Sequence, residues 1–101
     1  MNNNTNCLVL YACIVEVKPI RYTPAGLPAL DLILEHESKV FEASQERQVH
    51  AAVKAVAFGS VAETLVSQAV GSIWMFSGFV ATPRNSKSLV FHIQEFNQDQ
   101  P

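Results

Sequence analysis

The chain has 101 residues, a formal charge of −2 at neutral pH, 49% hydrophobic residues and only 16% charged ones. That composition excludes an extended disordered chain and any global positive field, so contact with a nucleic acid would have to come from where the seven Lys and Arg residues stand. It also exceeds what one small domain readily hides, which points to an oligomer interface.

Residues 1–5 are polar and expected to fray, as are 97–101, leaving a single domain over 6–96. No apolar run approaches the ~18 residues of a membrane span, and no basic-then-apolar segment opens the sequence, so the expectation is a soluble, cytoplasmic protein with no membrane partner. "CLVLYACIVEVK" is apolar on both parities as far as Glu16. It fits a strand buried on both faces, or one whose second face meets another subunit. Cys7 and Cys13 both fall on it, about 20 Å apart at ~3.3 Å per residue, too far to pair. They read as buried structural thiols, as suits a reducing compartment.

"PIRYTPAGLP" follows, with three prolines and one glycine, and is expected to be a loop. "ALDLILEHES" alternates, with Leu30, Leu32 and Leu34 on one parity and Asp31, Glu35 and Glu37 on the other, the pattern of a two-faced strand. "KVFEASQE" reads as a polar connector carrying one exposed aromatic, Phe41. "RQVHAAVKAVAF" fits two patterns. Val49, Ala52, Val53 and Val56 have helical spacing, whereas Val49, Ala51, Val53, Ala55 and Ala57 share one face of a strand; its alanines lean to helix.

"SVAETLVSQAVG" is predicted to be a short amphipathic helix. Ser60 and Glu63 have capping-box spacing, and Gly71 stands where a left-handed terminal residue belongs. "SIWMFSGFVA" reads as a strand with a bulge or bend at Gly78, and places Trp74 and Phe76 in the core. "TPRNSKS" is a polar loop, and "LVFHIQEF" a closing strand. If the ambiguous segment is a strand, the order is five strands with one helix between the third and fourth. That is the layout of an OB-fold, an all-β Greek-key barrel that binds ligands across its second and third strands, flanked by the loops joining strands 1–2 and 4–5.

On this layout Lys18, Arg21, Arg84 and Lys87 lie on or beside those two loops, the clustering a phosphate backbone needs, although basic residues on polar loops also serve solubility. Tyr22 next to Arg21 offers a stacking face beside a phosphate contact, or packs its own loop. Phe41 could stack or cover a dimer seam; His50 could stack weakly from the binding face. His36, His50 and His92 fall on three elements with no H-x-H or C-x-x-C pair to hold a metal, and no nucleophile elbow or Gly-rich phosphate loop occurs. The expectation is no enzyme, no metal and no cofactor.

The stretch "PIRYTPAGLPALDLILEHES", above all "TPAGLP" and "LILEHES", resembles primosomal replication protein N, the PriB family, with support from "NCLVL" and "GSIWMFSGFVA". The resemblance implies a homodimer of OB-folds that binds single-stranded DNA without sequence preference. It implies a role in replication restart too, bridging the restart helicase and the primosomal loader protein. It places a third strand at Arg47–Phe58 and the dimer through strand 1 and its neighbours. Carried over by position, the first-loop site falls on Arg21 and Tyr22, the last-loop site on Arg84 and Lys87, and second-loop and third-strand aromatics on Gln45 and His50. Lys18 and Arg47 are further phosphate candidates. A second reading is a protein–protein adaptor of the primosome with weak or lost DNA binding, favoured by the negative charge and the short last loop.

Overall fold

A computed structural model describes residues 5–98. Of the ends expected to fray, residues 1–4 and 99–101 lie outside the described span. The elements are β1 (Leu8–Val17), β2 (Arg21–Tyr22), β3 (Pro28–Glu42), β4 (Gln45–Phe58), α1 (Ser60–Leu65), β5 (Ile73–Ala81) and β6 (Val90–Asn97). β1 pairs with β3 on one side and β5 on the other, β6 joins β5 to β4, and β4 returns to β3. The circuit closes, with β4–β6 parallel and the other pairings antiparallel. A closed five-stranded barrel with its helix between the third and fourth strands is the expected OB-fold; β2 is an extra rung on β3 alone.

Alternation decides what faces inward. Leu30, Leu32 and Leu34 are buried on β3, and Ala55 and Ala57 opposite them on β4. Phe76, Phe91, Ile14 and Ile93 fill the rest of the same cluster. The ambiguous alanine-rich segment is therefore strand. Its alanines present little bulk to the leucines of β3, and continuous pairing from Gln45 to Phe58 overrides a helix preference worth only tenths of a kcal/mol per residue.

Four expectations are corrected. "KVFEASQE" is not a connector: β3 runs on to Glu42 and β4 begins at Gln45, leaving a two-residue turn at Ala43 and Ser44. Both turn residues have positive φ, 55° and 66°, the backbone that lets a two-residue hairpin match the twist of its strands. Neither is a residue that adopts it cheaply. Replacing Ala43-Ser44 by Asn-Gly is expected to raise stability by about 1–2 kcal/mol, read as a higher thermal midpoint; an unchanged or lower midpoint would refute the strain.

"PIRYTPAGLP" is more ordered than a plain loop. Arg21 and Tyr22 pair with Ala29 and Pro28, and the Thr23 N–H donates to the Leu27 carbonyl to close a tight turn around Gly26. Cys7 is exposed and precedes β1, and Cys13 is only half-buried, so neither is a core thiol. Both are free.

The helix is shorter than its apolar stripe suggested, ending at Leu65, and no side chain caps it; the N-cap is Gly59. Hydroxyl and amide side chains of Thr64, Ser67 and Gln68 turn back to main-chain carbonyls, a local competition that disfavours further helix. Ala62 and Leu65 are nonetheless fully buried in the core cluster. Gly71 does have positive φ, and β5 carries a register shift between Ser77 and Gly78, as the sequence predicted. Phe76 is core; Trp74 packs against it half-buried, its indole N–H donating to Ser72 Oγ at 2.9 Å.

Candidate nucleic-acid interface

With Leu30, Leu32 and Leu34 pointing in, β3 turns Asp31, Ile33, Glu35 and Glu37 outward, opposite Val56, Lys54, Ala52 and His50 of β4. The outer face is thus built from side chains that the register brings side by side. Its two ends differ in charge.

At the end near β2, Asp31 holds Arg21. Arg21 Nε donates to Asp31 Oδ2 at 2.7 Å and Nη2 to Oδ1 at 3.1 Å. This hydrogen-bonded carboxylate raises the Arg21 guanidinium above its ordinary pKa, with burial opposing weakly. Two of the five guanidinium N–H groups are spent, so the fork is oriented yet keeps donors for another ligand. Tyr22, 64% exposed, stands beside it with its ring open to solvent. Lys18 faces Glu16 at 3.7 Å and, with Asp31, Ile33, Lys54 and Val90, lines a groove of about 320 Å³.

Toward the hairpin tip the face is acidic. His50 Nε2 lies 3.8 Å from Glu35 and 4.0 Å from Glu37, between two carboxylates that would repel a phosphate. Phe41, 78% exposed, is on the same face, opposite Glu46 and roughly 13 Å further along at ~3.3 Å per residue. Arg47 is not. It pairs with Val40 in register and with Glu42 at 2.8 Å, on the other face of the hairpin from His50.

The loop between β5 and β6 is tied to itself. The Ser86 N–H donates to the Pro83 carbonyl at 3.1 Å, Asn85 takes φ 66°, and the Ser88 N–H donates to Ser86 Oγ. Arg84 and Lys87 on this loop are exposed and make no ion pair among the described residues. The structure therefore sorts the sequence-derived residues into four groups: Lys18, Arg21 and Tyr22 at one edge of the face, Phe41 and His50 on its acidic extension, Arg84 and Lys87 on the closing loop, and Arg47 alone on the opposite face of the hairpin.

Two features escaped the sequence. Lys54 stands opposite Ile33 on the face, lines both the groove beside Lys18 and a hollow at the foot of the last loop, and makes no ion pair among the described residues. Its signal was present: once 47–58 is a strand, Lys54 shares parity with His50. The second is an aromatic row. His92 stacks on Phe79 with centroids 4.7 Å apart and lies 5.8 Å from Phe58. These three come from three strands, so no spacing could reveal them. Among the described residues no group of His, Cys, Asp and Glu could hold a metal ion, and no helix is long and apolar enough to cross a membrane.

Residues 6–95 match the model of another single-strand binding protein family. The replication restart protein PriB of Bordetella pertussis is 42% identical over 91 residues, covering 89% of this chain and 85% of that one. Its counterpart in Nitrosomonas europaea is 32% identical over 93 residues, covering 91% and 86%. The solved structure of the protein PriB from Ralstonia solanacearum superposes with a TM-score of 0.87 at 36% identity, covering 96% of this chain and all of that one. The chain belongs to the PriB family of replication restart proteins, and to the single-strand binding family whose model it matches along almost its whole length.

Proposed function

We propose that this chain is a non-catalytic, homodimeric accessory of replication restart that holds single-stranded DNA without sequence preference. It bridges a restart helicase and a loader protein in the cytoplasm. The observation that carries the DNA-holding part is the outer face itself: a groove bordered by Lys18 at one loop shares Lys54 with a second hollow that reaches Ser88 and Leu89, at the foot of the loop that bears Arg84 and Lys87, two cations with no ion pair among the described residues. Such an electrostatic track with exposed aromatic rings binds any sequence, because every nucleotide has a phosphate and a π-face. Arg21, Arg84 and Lys87 contact phosphates with Lys18 in support, and Tyr22 stacks; His50, between the two carboxylates, and Phe41, beyond them, are secondary.

The dimer rests on β1. Its outward residues Val9, Tyr11 and Cys13 pair with Ser77, Met75 and Ile73 of β5, and Val9 and Ile73 are at least half exposed. A contiguous apolar strip of this kind on a small barrel favours a second subunit.

The test is fluorescence anisotropy of labelled oligo-dT at several salt concentrations. Three or four neutralised phosphates predict a slope of log affinity on log salt of about −2 to −3. A slope near zero would remove backbone binding from the function. One observation favours the adaptor reading instead: Lys18, Arg21 and Arg47 each already face a carboxylate. That reading predicts no binding even at low salt, with retained affinity for the partner helicase.

A further inference from the structure

Lys54 stands between two hollows. On its far side from Lys18 is a larger one of about 530 Å³ at the mouth of the barrel, lined by Leu8, Val53, Val80, Leu89 and Phe91, with Ser88 at the rim. No carboxylate lines it, although the chain carries more acidic than basic residues. Leu89 is 63% exposed there, an apolar side chain held in water at the foot of the loop that bears Arg84 and Lys87. The hollow thus combines an apolar floor, a hydroxyl and a lone ammonium on the rim.

We propose that this hollow receives a nucleobase of the bound strand while Lys54 takes the adjoining phosphate. The inference rests on the single-stranded-DNA function proposed above and names a subsite of it. A flat, largely apolar heterocycle gains by leaving water for such a floor, and the negative phosphate it carries must then sit at the rim, where Lys54 is. The floor offers no fixed pattern of donors and acceptors, so the subsite accepts any base. The strand crosses the barrel from Lys18 over Lys54 to the last loop and does not follow the hairpin, where Glu35 and Glu37 would face it.

The test compares Lys54→Ala and Leu89→Ser with the unaltered chain, using oligo-dT and an abasic oligomer of the same length. Both side chains are solvent-accessible, so folding is expected to survive. Lys54→Ala should weaken both ligands about eightfold at 50 mM salt and make the salt slope shallower by about 0.7. Leu89→Ser should weaken oligo-dT about fivefold, leave its slope unchanged and leave the abasic oligomer unaffected. Equal effects of Leu89→Ser on both oligomers, or none on either, would overturn the base subsite. A change in sedimentation with unchanged oligo-dT affinity would overturn it too, assigning the hollow to a second copy. Failure of the unaltered chain to bind any oligomer would instead sink the DNA-holding function, and the subsite with it.

Discussion

Gly78→Ala is expected to destabilise the barrel by about 3 kcal/mol and lower its thermal midpoint by roughly 12–24 °C. The reason is space. A Cβ built on Gly78 would overlap the His92 carbonyl oxygen, with the His92 carbonyl carbon at 2.9 Å and the Gln94 nitrogen at 3.1 Å. All three are backbone atoms of β6, so no rotamer change can relieve the contact. The register shifts at this point, from Ser77 opposite Glu95 to Gly78 opposite Ile93, and the bulge draws the two main chains together. β6 cannot retreat locally, because it also carries the parallel pairing with β4 that helps close the barrel. Gly26→Ala is the matched control. Nothing lies within 4 Å of its Cβ, but its φ is 86°, so only backbone strain of about 1 kcal/mol is expected. Thermal unfolding followed by circular dichroism separates the two; a fall no larger for Gly78→Ala than for Gly26→Ala would show that β6 can yield.

The elements that the sequence revealed are those whose signal is local. Alternation at Leu30, Leu32 and Leu34 exposed the inward face of β3, and the lone glycine in a run of large apolar residues marked the bulge. The hairpin extension was hidden because Lys39 to Glu46 mixes apolar and polar residues on both faces, with Val40 and Phe41 both exposed at a tip where no burial enforces an alternating pattern. Capping-box spacing at Ser60 and Glu63 misled, because a glycine immediately before Ser60 took the N-cap position.

The candidate site was legible in part for the same reason. Loop cations can be found from their position in the chain, so Lys18, Arg21, Arg84 and Lys87 stood out. Their partners cannot. Asp31 reaches Arg21 only because β2 folds back onto β3, and His50 lies between Glu35 and Glu37 only because the β3–β4 register puts it there. The paired and unpaired cations therefore look alike in sequence and differ in structure, and the difference is consequential. A guanidinium already neutralised by a carboxylate adds little long-range attraction for a polyanion, whereas a free one adds its full charge.

The double variant Arg84→Ala/Lys87→Ala should accordingly show a large and salt-dependent loss of single-stranded-DNA affinity. Each single-strand phosphate contact contributes about 0.7 to the salt slope, so losing two makes the slope shallower by about 1.4. Referred to 1 M salt, that is about 60-fold weaker binding at 50 mM and less than about threefold at 0.5 M. The widening gap at low salt is what identifies the cause, since loss of a stacking or apolar contact would cost the same factor at every salt concentration. Stability should not change, because both side chains are exposed and neither has an ion-pair partner among the described residues. Arg47→Ala is the internal comparison. Arg47 carries the same charge but pairs with Glu42 on the opposite face of the hairpin from His50, so its removal should leave the slope unaltered. Titration of labelled oligo-dT with the three proteins at 50 mM and 0.5 M salt reads both quantities. If Arg47→Ala flattened the slope as much as the loop variant did, the strand would run along the hairpin, and the path across the barrel through Lys54 would be wrong. If the loop variant lost affinity by one factor at both salts, Arg84 and Lys87 would be shaping the loop and not holding phosphates.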